Sequence, residues 1–339
     1  MKPIRHVLAV AAASFCLAAS ADPVTTTLFY TTFSGGPNVW RAAFSYDGSS
    51  TAAGVSYAST NIATVVGADG IVFNPNNGHL LVGGQGPRIH DIPVSGAPVT
   101  TFSTPGVSVF HLAVDPTTSF VYGSGIPGNV AKVGIDAGGF TGSFTAMGVA
   151  GSTPDLTSLA WNAAGTQAFY TSARSFGAGQ FGKASFGVST VTTTVEIASL
   201  TAAHGMIFDS FTGLLTLFGD NEIVQIDPTA PGIIVASRVM AGVDFDQGTS
   251  DGAGHLWVAS NNGDVTFFDL TSCAGGKVDS LTCFTNTQFL AASLDDLAPL
   301  SGPGGCAPNC PQIPEPAPLA LVVPALAALA LTRRRRPRP

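Results

Sequence analysis

Charge is scarce in this chain. Asp, Glu, Lys and Arg make up 10% of its 339 residues, and the body carries no long stretch of helical periodicity. Basic residues are scarcer still. Two of the 14 lie in the first five positions and five in the last seven, which leaves seven in the body. All 21 acids lie between Asp22 and Glu315, so an exported body would carry 7 minus 21, or −14, twice the whole-chain value of −7. Such a body repels nucleic acid and anionic lipid and attracts cations. Catalytic signatures are also missing: there is no HExxH helix, P-loop or spaced Cys/His zinc set. From these absences a non-enzymatic protein is expected.

What is present begins at the two ends. Lys2 and Arg5 precede an apolar run from Val7 to Ala19, and Ala19-Ser20-Ala21 is a small-residue cleavage pattern. This predicts a signal peptide over 1–21 and a mature chain starting at Asp22. Phe15 before Cys16 is too bulky for a lipoprotein signal. At the other end, Pro314-Glu315-Pro316 is followed by an uncharged segment from Ala317 to Leu331 and then by Arg333, Arg334, Arg335, Arg336 and Arg338. As a helix the apolar segment would reach roughly 22 Å, short of a hydrocarbon core of about 30 Å, so it predicts a transient anchor. The arginine cluster stays on the cytoplasmic side and stops transfer.

This ordered tail resembles the PEP-CTERM sorting domain of Gram-negative bacteria that make exopolysaccharide. Ile313 stands where valine usually precedes the motif. The resemblance covers only the tail, and it implies a membrane enzyme of the exosortase type as partner. That enzyme would recognise Pro314, Glu315 and Pro316, cut near them and pass the protein from the inner membrane to the cell surface or beyond, with exopolysaccharide as a further partner. The expected domains are the signal peptide (1–21), a body (22–300), a Gly/Pro-rich stalk (301–312) and the sorting signal (313–339), whose apolar part is one hydrophobic helix.

With Cys16 removed by processing, four cysteines remain. Proximity favours disulfides Cys273–Cys283 and Cys306–Cys310 among three pairings, in keeping with an oxidising compartment. A metal site is the rival reading, with no histidine near them.

The body is rich in Gly, Thr, Val, Phe and Ser, and its short apolar runs are separated by Gly, Asn, Asp and Pro turns, which predicts an all-β fold. A strand, turn, strand pattern recurs with turn openers Asn74, Asp115, Asn162, Asp209 and Asp251, spaced 41, 47, 47 and 42 residues apart. A third strand follows each, as in RIHDIPV from Arg88 and DVTFFDL from Asp264. The period is that of a β-propeller blade. Thr27 to Gly48 reads as two strands lacking a first, and LDDLAPL (294–300) as a first strand lacking the others. Together they complete a sixth blade and close the ring. GHLWVAS (254–260) and VDPTTSFVYGSG (114–125) resemble the blades of NHL, YVTN and gluconolactonase-like propellers, which implies a scaffold and says little about chemistry.

Aligned on their turns, the repeats place Asp69, Phe110, Thr157, His204 and Asp246 in one equivalent slot, with Asp295 from the last strand and His111 one place on. Asp69, His111, His204, Asp246 and Asp295 are therefore the candidates for a ligand or metal site at the channel mouth, where no cofactor is required but calcium or another divalent cation would fit. Polar residues meeting channel water are the simpler reading. His79, His90 and His255 fall on later strands and are expected to be packed or part-exposed without function. Two functions stay open: a surface or matrix protein whose propeller binds glycan, cation or protein, and a metal-dependent lactonase or lyase using Asp69, His204, Asp246 and Asp295.

Overall fold

Each of the five turns is built by the side chain that opens it. Asn74 Oδ1 accepts the Asn76 N–H at 3.0 Å, and Asp115 Oδ1 accepts those of Ser119 and Phe120 at 2.9 and 2.8 Å. Asn162 Oδ1 does the same for Thr166 and Gln167, Asp209 Oδ2 for Thr212, and Asp251 Oδ1 for Ala253 and His255. A short acceptor at the turn entrance satisfies amides that the strand ladder leaves over, which is why Asn and Asp recur there.

The computed structural model describes residues 23–33, 36–125, 128–150, 155–173 and 178–299. The signal peptide, the stalk, Cys306 and Cys310, Pro314-Glu315-Pro316, the apolar segment expected as a helix and the arginine cluster lie outside the described residues. No helix among the described residues is long and apolar enough to cross a membrane.

These residues are all-β. β1 (Val24–Thr32), β2 (Val39–Tyr46) and β3 (Val55–Ala63) come first. An antiparallel meander follows: β4 (Ala68–Phe73), β5 (Leu80–Gly84), β6 (Arg88–Ile92) and β7 (Thr100–Ser103). The next two are β8 (His111–Val114), β9 (Phe120–Ser124), β10 (Asn129–Asp136) and β11 (Gly139–Ala150), then β12 (Ser158–Trp161), β13 (Ala168–Thr171), β14 (Gly179–Phe186) and β15 (Thr190–Leu200). β16 (Gly205–Asp209), β17 (Leu214–Gly219), β18 (Glu222–Ile226) and β19 (Ile234–Val239) form another. β20 (Phe245–Ser250), β21 (His255–Ser260), β22 (Asp264–Asp269) and β23 (Phe284–Phe289) precede the last strand, β24 (Leu294–Pro299).

β24 pairs antiparallel with β1, giving a sheet in the order β24-β1-β2-β3 that joins the two ends of the described chain. The meanders β8–β11 and β12–β15 depart from independence. β11 and β15, their outer strands, pair in parallel over Gly148–Ala150 and Thr190–Thr192 and fuse them into one eight-stranded sheet. The repeat pattern gave no sign of these fourth, outer strands. In β3 most residues face solvent, so no alternation of apolar and polar residues was required of them.

The apolar core lies between meanders. Phe29 and Val39 pack with Ile71, Phe73 and Leu80; Leu81 and Ile89 with Val121 and Val133; Tyr122 and Met147 with Leu159 and Tyr170. Phe169 and Phe181 meet Leu215 and Val224, and Phe218 and Ile223 meet Leu256 and Phe268. The last core brings Trp257, Val265 and Phe267 against Leu28, Phe44 and Tyr46 of the first sheet, so the succession closes on itself. Phe44 is edge-on to Trp257 at 5.1 Å, an arrangement that adds to the area buried. Each sheet thus buries both faces on its neighbours. Their first strands, β4, β8, β12, β16, β20 and β24, run side by side around the centre, as the bonds Gly70 N to Phe110 O and Ser158 Oγ to Met206 O indicate.

Cys273 and Cys283 are bonded to each other with their Cα atoms 4.0 Å apart, clipping the loop between β22 and β23.

Candidate functional site

Two glycines decide how close the central strands come at their N-terminal ends. A Cβ at Gly70 would overlap the carbonyl oxygen of Phe110, and one at Gly205 would overlap that of Asp246. Only glycine permits such approaches. The first draws Asp69 and His111 together, and the second sets His204 beside Asp246.

There a cavity of about 310 Å³ opens, lined by Asp69, His111, His204, Asp246 and Asp295 together with Gln85, Phe110 and Thr157, with Phe33 and Asn261 also on its wall. All five residues singled out in the sequence face this one space. Asp69, His111, Asp246 and Asp295 are buried, at 3–5% exposure.

The two imidazoles have their tautomers set from behind. His204 Nδ1 lies 3.0 Å from the carbonyl oxygen of Ala173, an acceptor only, so that nitrogen carries the proton. His111 Nδ1 lies 3.2 Å from Asp296 Oδ2 and donates to it. Each ring therefore turns Nε2 into the cavity. The two Nε2 atoms are 3.2 Å apart. Asp246 Oδ1 is 2.7 Å from that of His204 and 3.8 Å from that of His111. Electron-pair donors thus converge on one point, and these three residues form a possible cation-binding group among the described residues.

The charges follow. Burial works against a charged His111, yet Asp296, Asp246 and Asp69 outweigh it and lift its pKa to about 10. A proton on His111 bridging to His204 relieves the convergence when no cation does. Burial likewise opposes ionisation of Asp246, but His204 and then His111 hold it below the ordinary carboxylate range. Asp69 and Asp295 move the other way. Burial raises both, helped by neighbouring carboxylates and opposed at Asp69 by His111, which favours their protonated forms. One space thus pushes neighbouring carboxyl groups in opposite directions.

Asp296 is the residue that the slot alignment missed. It is next to a slot residue, Asp295, and its partner His111 is 185 positions away; the Asp-Asp pair in LDDLAPL was the available signal. His79 contacts Asp91 at 2.5 Å, His90 contacts Thr101 Oγ1 and His255 contacts Asp251 Oδ2. They stand apart from the cavity, as does the disulfide.

The donor set can be tested against the ions it would take. Ligands on a tetrahedral zinc with bonds of about 2.0–2.1 Å stand about 3.3 Å apart, and the three separations here bracket that value. Two imidazoles with one carboxylate suit zinc or a similar first-row ion better than calcium, which favours oxygen.

No protein-family model matches the chain, and the search of curated proteins finds no match. Among solved structures it is similar to a luciferin-regenerating enzyme, at 10% identity over 83% of this chain and 99% of the other with a TM-score of 0.46. It is also similar to a protein of unknown function from Bacteroides thetaiotaomicron, at 14% identity over 80% and 83% with a TM-score of 0.48. Both are propeller-like folds. The expectation of a non-enzymatic protein is corrected here, since one of these two neighbours is named an enzyme. At such identities that name stays with that protein and gives this chain neither substrate nor reaction.

Proposed function

We propose that the body is a six-bladed β-propeller enzyme that holds a divalent first-row cation, zinc or a close relative, on His111, His204 and Asp246 and hydrolyses a small ester or lactone in the 310 Å³ cavity. One observation carries this: both Nε2 atoms and Asp246 Oδ1 converge within 3.8 Å with both Nδ1 protons engaged elsewhere. Bound there, the cation would polarise a carbonyl as a Lewis acid. Asp295 and Asp69, whose pKa values burial raises, line the same cavity and would supply the proton to a leaving oxygen. Asp296 orients His111, and Gln85 and Thr157 offer polar contacts to the substrate.

The chain is exported through its signal peptide and held briefly at the inner membrane by its tail. An exosortase-type enzyme cuts it near Pro314-Glu315-Pro316, which places the propeller at the cell surface or outside, alongside exopolysaccharide.

Calorimetric titration of the full chain with zinc, manganese and calcium, paired with a panel of lactones and aryl esters, tests the activity. Stoichiometric zinc or manganese binding, and hydrolysis lost in His204→Ala, is expected; equal turnover by the variant would refute the assignment. Export is tested by intact mass and cell fractionation of the wild type and of a chain with alanines at 314–316. A shortened, released wild type against a longer, membrane-held variant is expected, and identical full-length products would reduce the tail to an anchor.

A further inference from the structure

A second cavity, of about 430 Å³, lies at the opposite, C-terminal ends of the same central strands. Its wall is apolar, with Ile71, Leu112, Leu159, Trp161, Met206 and Phe208 the main contributors. Its size and lining suit a compact organic molecule.

Two polar side chains on its wall are engaged within the protein. Gln247 Nε2 donates to Ser158 Oγ, and its Oε1 accepts the Gly248 N–H. Asn162 is committed to its own turn. Asp296 differs. It lines this cavity and not the other, is 2% exposed, and gives one oxygen, Oδ2, to His111. Its Oδ1 is buried and has no hydrogen-bond partner. A carboxylate oxygen left so is costly unless a donor reaches it. The chamber therefore offers an apolar wall with the hydroxyls of Ser210 and Thr249 on it and one buried carboxylate, on a body whose net charge draws in cations.

We propose that this chamber is a binding site for a small apolar amine, whose ammonium donates to Asp296 Oδ1 and whose hydrocarbon lies against Trp161, Leu112 and Met206. The complementarity is specific in sign. An alcohol of the same length satisfies the oxygen without the charge, and a carboxylate is repelled. Because Asp296 also holds His111, occupancy of the chamber and cation binding at the other end are linked, each altering the other's affinity by one common factor.

The test is titration of the full chain with n-octylamine, n-octanol and octanoate, read by tryptophan fluorescence and calorimetry. A chelator is present throughout, so the result stands whether or not the other end holds a metal. Saturable one-to-one binding of octylamine is expected, about tenfold or more tighter than octanol, with octanoate weakest. Ala113→Phe narrows the chamber without altering the carboxylate and should abolish octylamine binding while thermal unfolding stays cooperative. Asp296→Asn should bring octylamine and octanol to equal affinity, and if that variant does not fold, Ala113→Phe decides alone. Octylamine binding unchanged in Ala113→Phe would overturn the proposal by placing the alkyl chain elsewhere, the apolar segment Ala317–Leu331 included. Octanoate binding as tightly as octylamine would overturn it too.

Discussion

The two cavities at opposite ends of the central strands are made by the same six strands and have opposite chemistry. At their N-terminal ends the strands bring Asp69, His111, Asp246 and Asp295 into one cavity. A few residues on, the same strands bring Val72, Val114, Trp161, Phe208 and Ala298 into another. Strand identity therefore does not set polarity; distance along the strand does. A strand residue rises about 3.3 Å, so four residues are enough to pass from a charged chamber to an apolar one. Asp296 is the exception, an acid in the apolar wall that reaches back to the polar end through His111.

That contrast can be broken from either side. The largest effect is expected at the polar end: His204→Ala should weaken zinc binding by more than about 100-fold by removing a direct ligand, against the 10–100-fold known for supporting residues, as read by calorimetry. Gly205→Ala comes next. Its Cβ would meet the Asp246 carbonyl, so a loss of about 1–3 kcal/mol in denaturant unfolding is expected; Gly148→Ala, with open space around it, should be close to neutral. Asp296→Asn leaves the three ligands in place and should cost about 10–100-fold in zinc affinity. Smallest is a pH effect in chelator. The folded pKa of His111, about 10, lies above its unfolded value of about 6.5. Its stabilising contribution is thus full below pH 6.5 and lost as pH rises through 10. Melting temperature should fall across that window and should fall less in His111→Gln.

Local physics was legible in the sequence and distant pairing was not. Asn74, Asp115, Asn162, Asp209 and Asp251 could be read because a turn opener bonds amides within five residues of itself. Counting back from them placed Asp69, His204 and Asp246 at the same end of the channel, because strand length between slot and turn hardly varies. Asp296 showed only as the second acid of LDDLAPL, since its role depends on a histidine that the fold brings from 185 positions away. Outer strands such as β3 left no pattern because most of their residues face solvent. The parallel contact of β11 with β15 joins chain segments whose registers no repeat dictates.

The pairing of β24 with β1 sets an order of events. Asp296 N–H meets Thr31 Oγ1 across 265 positions, so the first strand waits for nearly the whole chain before its edge is covered. Contacts so remote in sequence form slowly. The same short strand carries Asp295 and Asp296, so the clasp and the last two acids of the candidate site arrive together. A chain cut before Leu294 would lose its ring closure and its chemistry in one stroke, and every molecule with an assembled site is one that has finished folding.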